Sequence, residues 1–137
     1  MPRLPIHRSV PDIGYLSAQL FDDLGIVQTV VAGDTVYVSG IAPLTDTGGA
    51  VDVVSTDLAE QLTYVLDVLD RSLASAGTDR SGLVAWTIYT TDMPGLAQCV
   101  SILKDWVGEH RPTSTWIGCA SFIHPDQLLE LTATAVR

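Results

Sequence analysis

The sequence is short of cationic residues, of cysteine and of long hydrophobic runs. Its 137 residues include 7 Lys and Arg against 16 Asp and Glu, which gives a formal net charge of −9 with the three histidines neutral. A chain this acidic repels phosphate backbones and lacks the basic stripe that non-specific nucleic-acid binding requires. We therefore expect no nucleic-acid partner.

The scarcity of cysteine and of apolar runs limits which metal sites and which cellular locations can be expected. Cys99 and Cys119 form no CxxC pair, and neither lies near a histidine at the spacing of metal ligands. No apolar run approaches the roughly 18 to 20 residues of a membrane-spanning helix, and no secretory signal is visible. P-loop, dinucleotide and Gly-x-Ser-x-Gly motifs are missing. We expect a cytoplasmic protein with no metal, no cofactor and no membrane contact.

What is present is the material of one folded domain. Hydrophobic residues make up 47% of the chain and charged residues 17%. The chain therefore has enough hydrophobic residues to form a core, and the excess acidic residues must lie at the surface. Prolines and Gly14 interrupt the first 25 residues, whose apolar side chains follow no long period. We predict an irregular N-terminal arm over residues 1–25, packed on the domain or on a neighbouring subunit, and a single domain over residues 26–137.

That domain alternates between strand and helix patterns. Apolar residues at steps of three or four predict one helix over residues 55–76 and a second over residues 92–108. Residues 40–49 are predicted to form a loop. Segments rich in β-branched and aromatic residues predict strands, at 26–32, 35–39, 51–54, 83–91, 114–123 and 128–136.

This order of elements predicts an α+β fold. The strands form a mixed sheet, which the two helices cover on one face. The other face also needs cover, and for a chain this short a symmetric oligomer is expected to supply it.

Glu130 is the sharpest chemical feature of the sequence. It lies among Leu128, Leu129 and Leu131, where solvent should be scarce. A partly buried carboxyl has a raised proton affinity and suits general acid or base catalysis near neutral pH. The alternative is an ordinary edge or surface glutamate paired with a threonine or an arginine.

Other side chains have a structural interpretation beside a chemical one. Ser39 and Gly40 end a strand, where their backbone either offers donors to an anion or simply enters a flexible loop. Trp116 alternates with Ser114 and Gly118 on one strand face, which suits a ligand pocket wall or subunit packing. The histidines and cysteines are expected to be structural.

Taken in order, five segments resemble the Rid (reactive intermediate deaminase) family, also called YjgF. They are AGDTVYVSG at 32–40, AG at 76–77, TIYTTD at 87–92, HRPTST at 110–115 and LLELTA at 128–133. The resemblance runs from about Ile26 to the C-terminus. It implies a fold similar to the trimeric bacterial chorismate mutase, a homotrimer with three small-molecule clefts between subunits.

The resemblance also implies an activity. The best-known members hydrolyse 2-aminoacrylate and related enamines or imines to a 2-oxo acid and ammonia, without metal or cofactor. In them an arginine shortly after a proline binds the substrate carboxylate, which suits a planar anion. A glutamate on the last strand positions or activates water, and the backbone at a Ser-Gly pair contacts the ligand.

Carried over residue by residue, these roles are only partly retained. The glutamate falls on Glu130 and the Ser-Gly pair on Ser39 and Gly40. The arginine, however, falls on Ser114. Losing its guanidinium removes a charge-assisted interaction of about 1.5 to 3 kcal/mol. The chain therefore resembles the arginine-lacking branches of the family, which weakens the expectation that it deaminates simple 2-imino acids.

Two further polar positions of the family cleft are apolar in this chain. A cleft tyrosine falls on Ile26 and a cleft asparagine on Val100. One hypothesis is thus an enzyme for a larger, less anionic enamine or imine. In it Glu130 is the acid or base, Ser114 and Gly40 bind the ligand, and the apolar walls are Trp116, Ile26 and Val100. The alternative is a non-catalytic trimer that binds a metabolite or a protein.

Overall fold

Six strands of the chain form one mixed sheet. A computed structural model describes residues 2–47 and 50–137. The sheet runs in the order β1-β2-β3-β8-β6-β7, with β6 and β7 parallel and every other neighbour antiparallel. Its strands are β1 (Ile6–Ser9), β2 (Thr29–Ala32), β3 (Thr35–Ile41), β6 (Leu83–Thr90), β7 (Thr113–Gly118) and β8 (Leu129–Val136). A separate hairpin pairs β4 (Leu44–Thr47) with β5 (Ala50–Val53).

Helices cover one face of this sheet, as predicted. The long helix α2 (Leu58–Ser75) packs on β3 and β8, and its neighbours are α3 (Met93–Gln98) and α4 (Val100–Val107). The stripe expected from the sequence is fully buried, at Leu62, Val65, Leu69 and Leu73. The α+β fold with a mixed sheet is therefore confirmed.

Alternation along β8 fixes which side chains reach the uncovered face of the sheet. Leu129, Leu131 and Ala135 have no solvent exposure because they point under the helices. Glu130 and the threonines that alternate with them must project from the opposite side. We call that side the open face. On it Tyr37 of β3 is 51% exposed.

The N-terminal residues are more regular than the sequence predicted. Residues 6–9 pair with β2 as an edge strand, and Ala18–Leu24 form a helix, α1. The side chain of Ser17 accepts from the Leu20 N–H, and Gly25 ends the helix at φ 72°, a conformation that favours glycine. The prediction of an irregular segment was wrong because seven residues are too few to show a helical period.

Several predicted bounds also shift. The helix predicted over 92–108 is two helices, because at Cys99 the N–H donates to Leu96 O, three residues back, and the α-helical ladder breaks. The predicted loop at 40–49 contains β4, and its residues 48 and 49 lie outside the described residues. The strand predicted to 123 ends at Gly118. Within the described ranges, no helix is long and apolar enough to cross a membrane.

Candidate active site

The predicted site residues gather at two separate cavities. Glu130, Gly40 and Ile26 line a cavity of about 560 Å³, the Glu130 cavity. Val100, Ser114 and Trp116 line a groove of about 340 Å³ between α4 and the edge strand β7, the β7-edge groove. The sequence predicted one cleft lined by all of these residues, whereas the single chain divides them between two cavities.

In the Glu130 cavity, the carboxyl of Glu130 lies directly over Gly40. A Cβ at residue 40 would stand 3.0 Å from Glu130 Cδ and 3.1 Å from its Oε2, so glycine leaves room for the carboxyl. Among the described residues, none forms a hydrogen bond or ion pair with this half-buried side chain. Burial raises the pKa of Glu130, because desolvation disfavours the charged form. A carboxyl with a raised pKa is a candidate general acid as well as a general base.

In the β7-edge groove, the side chains project from the helix-covered face. Ser114 is in register with Trp86 and Trp116 with Ile88, and residues in register share a face. The Trp86 indole donates to Ser114 Oγ at 2.7 Å. This bond orients the exposed Ser114 side chain, whose own hydroxyl proton can be donated to a ligand. Val100 on α4 is 52% exposed.

The sheet itself separates the two cavities within one chain. Glu130 is in register with Tyr89 and so belongs to the open face, whereas Ser114 and Trp116 belong to the helix-covered face. A small ligand that touches Glu130 therefore cannot also touch Trp116 of the same chain. Bringing the two groups to one ligand requires a second copy.

A family comparison matches most of the chain. The family model described as endoribonuclease L-PSP matches residues 25–137. This chain belongs to the endoribonuclease L-PSP family. The resemblance to the Rid, or YjgF, proteins that the sequence motifs predicted is thereby confirmed.

Curated relatives and solved structures agree with the family. TdcF of Escherichia coli, provisionally named a reactive intermediate deaminase, is 26% identical over 113 residues, covering 81% of this chain and 85% of TdcF. RutC of Acinetobacter baylyi, named a 3-aminoacrylate deaminase, is 28% identical over 109 residues, covering 80% and 84%. The Rid-family protein YyfA of Yersinia pestis shares the fold, with a TM-score of 0.84 at 24% identity over 97% of this chain and 100% of YyfA.

Tyr15 lines the Glu130 cavity and was not predicted from the sequence. Its hydroxyl donates to Ala42 O at 3.2 Å and accepts from the Ala42 N–H at 2.8 Å, so it holds the chain just beyond Gly40. Burial raises the pKa of Tyr15 well above its ordinary value, which keeps the phenol protonated. The resemblance placed the family's cleft tyrosine at Ile26, and the same cavity is lined by a tyrosine 11 residues earlier in the chain. No local pattern around Tyr15 signals this.

His124 was expected to be structural and is placed in the cavity wall. Its Nδ1 accepts from the Asp126 N–H at 3.0 Å, and its Nε2 stands 3.4 Å from Asp52 Oδ1. The Asp126 bond makes Nδ1 an acceptor, so Nε2 carries the proton in the neutral ring. The side chain thus links the β4–β5 hairpin to the segment before β8.

Gln61, on α2, also positions the segment before β8. It is fully buried on α2, and its amide nitrogen donates to Ser55 O at 2.8 Å and Asp126 O at 2.9 Å. Its carbonyl accepts from the Leu128 N–H at 2.8 Å. Since Leu128 lies two residues before Glu130, this one side chain sets where β8 begins. A glutamine at a core position of a helical stripe was the signal available in the sequence.

The remaining predicted residue, Ser39, lies outside both cavities. Its hydroxyl donates to Val27 O and its N–H to Gln28 O, which ties the end of β3 to the segment before β2. A backbone contact from Ser39 to a ligand stays a prediction. Over residues 2–47 and 50–137, no three His, Cys, Asp or Glu side chains cluster in a way that could hold a metal ion.

Proposed function

We propose that this chain is a Rid-type enzyme that hydrolyses an imine or enamine, or moves a proton on one, with Glu130 as the general acid and base. The observation that carries the proposal is the Glu130 carboxyl, which is half-buried, bonds to no other described residue and has a pKa raised by burial. Support at the family level comes from relatives named reactive intermediate deaminase and 3-aminoacrylate deaminase.

The chemistry needs one carboxyl and one water molecule. Protonated Glu130 gives its proton to the β-carbon of the enamine, which becomes an iminium ion. The carboxylate then takes a proton from water as the water oxygen bonds to the iminium carbon. The carboxyl next protonates the amine nitrogen, the C–N bond breaks, and the carboxylate removes the hydroxyl proton. The products are a carbonyl compound and ammonia, with Glu130 again protonated.

We propose further that the working site lies between two subunits of a homotrimer. The argument is the separation of the two cavities by the sheet: Glu130 and Gly40 would come from one protomer, and Ser114, Trp116 and Val100 from its neighbour. The open face, with Tyr37 half-exposed, is the surface that an oligomer would cover.

The word endoribonuclease in the family description does not fit this chain's charge. The net charge is −9, and the described residues that line the Glu130 cavity include no Lys or Arg. An RNA backbone near Glu130 would meet a carboxylate without a compensating cation.

Turnover by a Glu130→Gln variant tests the proposal. The amide keeps the shape of the side chain but cannot exchange a proton, so we expect kcat for carbonyl release from a panel of imines and enamines to fall by about 10²- to 10⁴-fold. Glu109→Gln, which alters an exposed glutamate outside both cavities, is the matched control and should keep the parent rate. A Glu130→Gln protein as active as the parent would exclude the proposed role.

The same panel decides the alternative function. A protein that binds panel members or their stable analogues but turns none of them over is a non-catalytic metabolite-binding member of the family. This alternative is supported by the serine at position 114, where the resemblance places the family arginine. Any turnover that depends on Glu130 rejects it.

A further inference from the structure

The Glu130 cavity has the size of a small-molecule site and is mostly apolar. Its volume of about 560 Å³ lies within the range typical of ligand pockets. One wall is α1, which contributes Leu20, Phe21 and Leu24, and Ile26 and Ile123 also line the cavity. The α1 wall precedes residue 25, where the match to the family model begins.

Several of these apolar side chains are open to solvent at the cavity mouth. Leu24 is 50% exposed, Ile26 48% and Ile123 76%. A single exposed apolar side chain is ordinary on a protein surface, but their convergence on one concave site indicates a surface built to be covered. The cover must itself be apolar.

The polar groups of the cavity indicate the other end of the ligand. Of the described residues that line it, Glu130 and His124 are the titratable ones other than Tyr15, and none is a Lys or an Arg. Once Glu130 is ionised, a ligand carboxylate beside it would meet a like charge, and no described residue of this cavity supplies a cation; Lys104 and Arg111 line the β7-edge groove instead. A neutral or cationic nitrogen that donates to Glu130 is favoured instead.

We propose that the Glu130 cavity takes an imine, enamine or amine that bears no carboxylate and carries a branched or aromatic hydrocarbon group, about the size of a leucine or phenylalanine side chain, seated against α1. The nitrogen faces Glu130. This deepens the proposed function and rests on it for the claim that the ligand is turned over. It makes α1 the element that selects the substrate.

Binding of stable amines tests the ligand class without relying on turnover. The probes are 2-phenylethylamine, phenylalanine, which adds only a carboxylate, and ethylamine, which lacks the ring. Titration calorimetry on the parent protein should give 2-phenylethylamine an affinity at least about tenfold above each of the other two. Phenylalanine binding as tightly as 2-phenylethylamine, ethylamine binding as tightly, or no binding of 2-phenylethylamine would overturn the proposal.

A pair of leucine variants tests the role of α1. Leu24→Ser removes apolar contact area from the cavity mouth at a half-exposed position, whereas Leu4→Ser makes the same change at a 68% exposed leucine that does not line it. We expect Leu24→Ser to weaken 2-phenylethylamine binding by roughly three- to tenfold and Leu4→Ser to leave it unchanged. Equal effects of the two variants would reject α1 as the selecting element.

Turnover separates this inference from the proposed function. The substrates are the imine of phenylacetaldehyde and the matching 2-imino acid, which differ by the carboxylate alone. Faster hydrolysis of the uncharged imine supports both claims. Expected amine binding with no hydrolysis of either imine rejects the catalytic function and keeps the ligand class. Preferred hydrolysis of the 2-imino acid keeps the function and rejects the ligand class.

Discussion

The position of Glu130 lowers the stability of the folded chain. The carboxyl is half-buried beside Gly40 and receives no hydrogen bond from the described residues that surround it. Burial raises its pKa, and a buried polar group without a partner weakens a fold. A residue kept under those conditions is better explained by chemistry than by stability.

The pH dependence of stability follows from that raised pKa. The contribution of Glu130 to stability is fully present below the pKa of the unfolded chain, about 4.3, and is lost as the pH rises through the higher folded-state pKa. The Glu130→Gln variant has no such loss. We therefore expect the free energy of unfolding of the variant, minus that of the parent, to increase from pH 4 towards pH 8.

Urea unfolding of both proteins across that pH range measures the difference. Glu109→Gln reports the effect of removing one exposed surface charge and is subtracted as the control. A difference that moves the other way, with the parent gaining on the variant as the pH rises, would mean that Glu130 is stabilised as a carboxylate and is not set up as an acid.

At the scale of the elements, long segments with a regular hydrophobic period were predicted correctly, whereas a short helix and a break within a helix were not. The stripe on α2 and the alternation in β8 placed Leu69 and Leu131 in the core and Glu130 on the open face. Helix α1 was missed because its bounds depend on Ser17 and Gly25 rather than on a repeat. The break at Cys99 has no marker in a continuous apolar stripe.

The sequence proposed candidate site residues but could not arrange them. Motif order pointed to Glu130, Gly40 and Ser114, and their division between two faces of the sheet follows from strand register, which the sequence alone does not supply. Tyr15 reaches its cavity through packing with Phe21 and Tyr64. Such long-range contacts leave no local pattern.

Substitutions at the N-caps of two helices should have different effects, one on the stability of the whole domain and the other on that of a single helix. Asp57 accepts from the Glu60 N–H at 3.1 Å at the start of α2, and Ser17 accepts from the Leu20 N–H at 3.2 Å at the start of α1. Because α2 is central to the core, Asp57→Ala should lower the global free energy of unfolding by about 1 kcal/mol. Ser17→Ala should chiefly loosen the small helix α1.

Hydrogen exchange and chemical unfolding distinguish the two effects. We expect Ser17→Ala to speed exchange of the α1 amides while the unfolding free energy falls by less than about 0.5 kcal/mol. Asp57→Ala should instead shift the unfolding midpoint. A global loss for Ser17→Ala as large as that for Asp57→Ala would show that α1 is part of the main cooperative unit and not a separately adjustable wall of the cavity.

At the scale of the whole molecule, acidity and assembly act on the same site. A trimer would carry about three times the chain's formal charge of −9, and a field of that sign lowers the local concentration of anionic substrates. The proposed ligand, uncharged or cationic at nitrogen, is the class that such a field admits. Assembly would also place Val100 and Trp116 of one protomer opposite Glu130 of its neighbour.

Mixed trimers test this account most directly. Glu130→Gln disables the Glu130 cavity, and Val100→Glu puts a charge into the β7-edge groove at a half-exposed position. Each variant alone should sediment as a trimer and be inactive on the best imine substrate. When equal amounts are unfolded and refolded together, about a quarter of the clefts combine an intact Glu130 with an intact groove. We predict recovery of about a quarter of the parent rate, and a mixture no more active than its separate components would contradict a site shared between subunits.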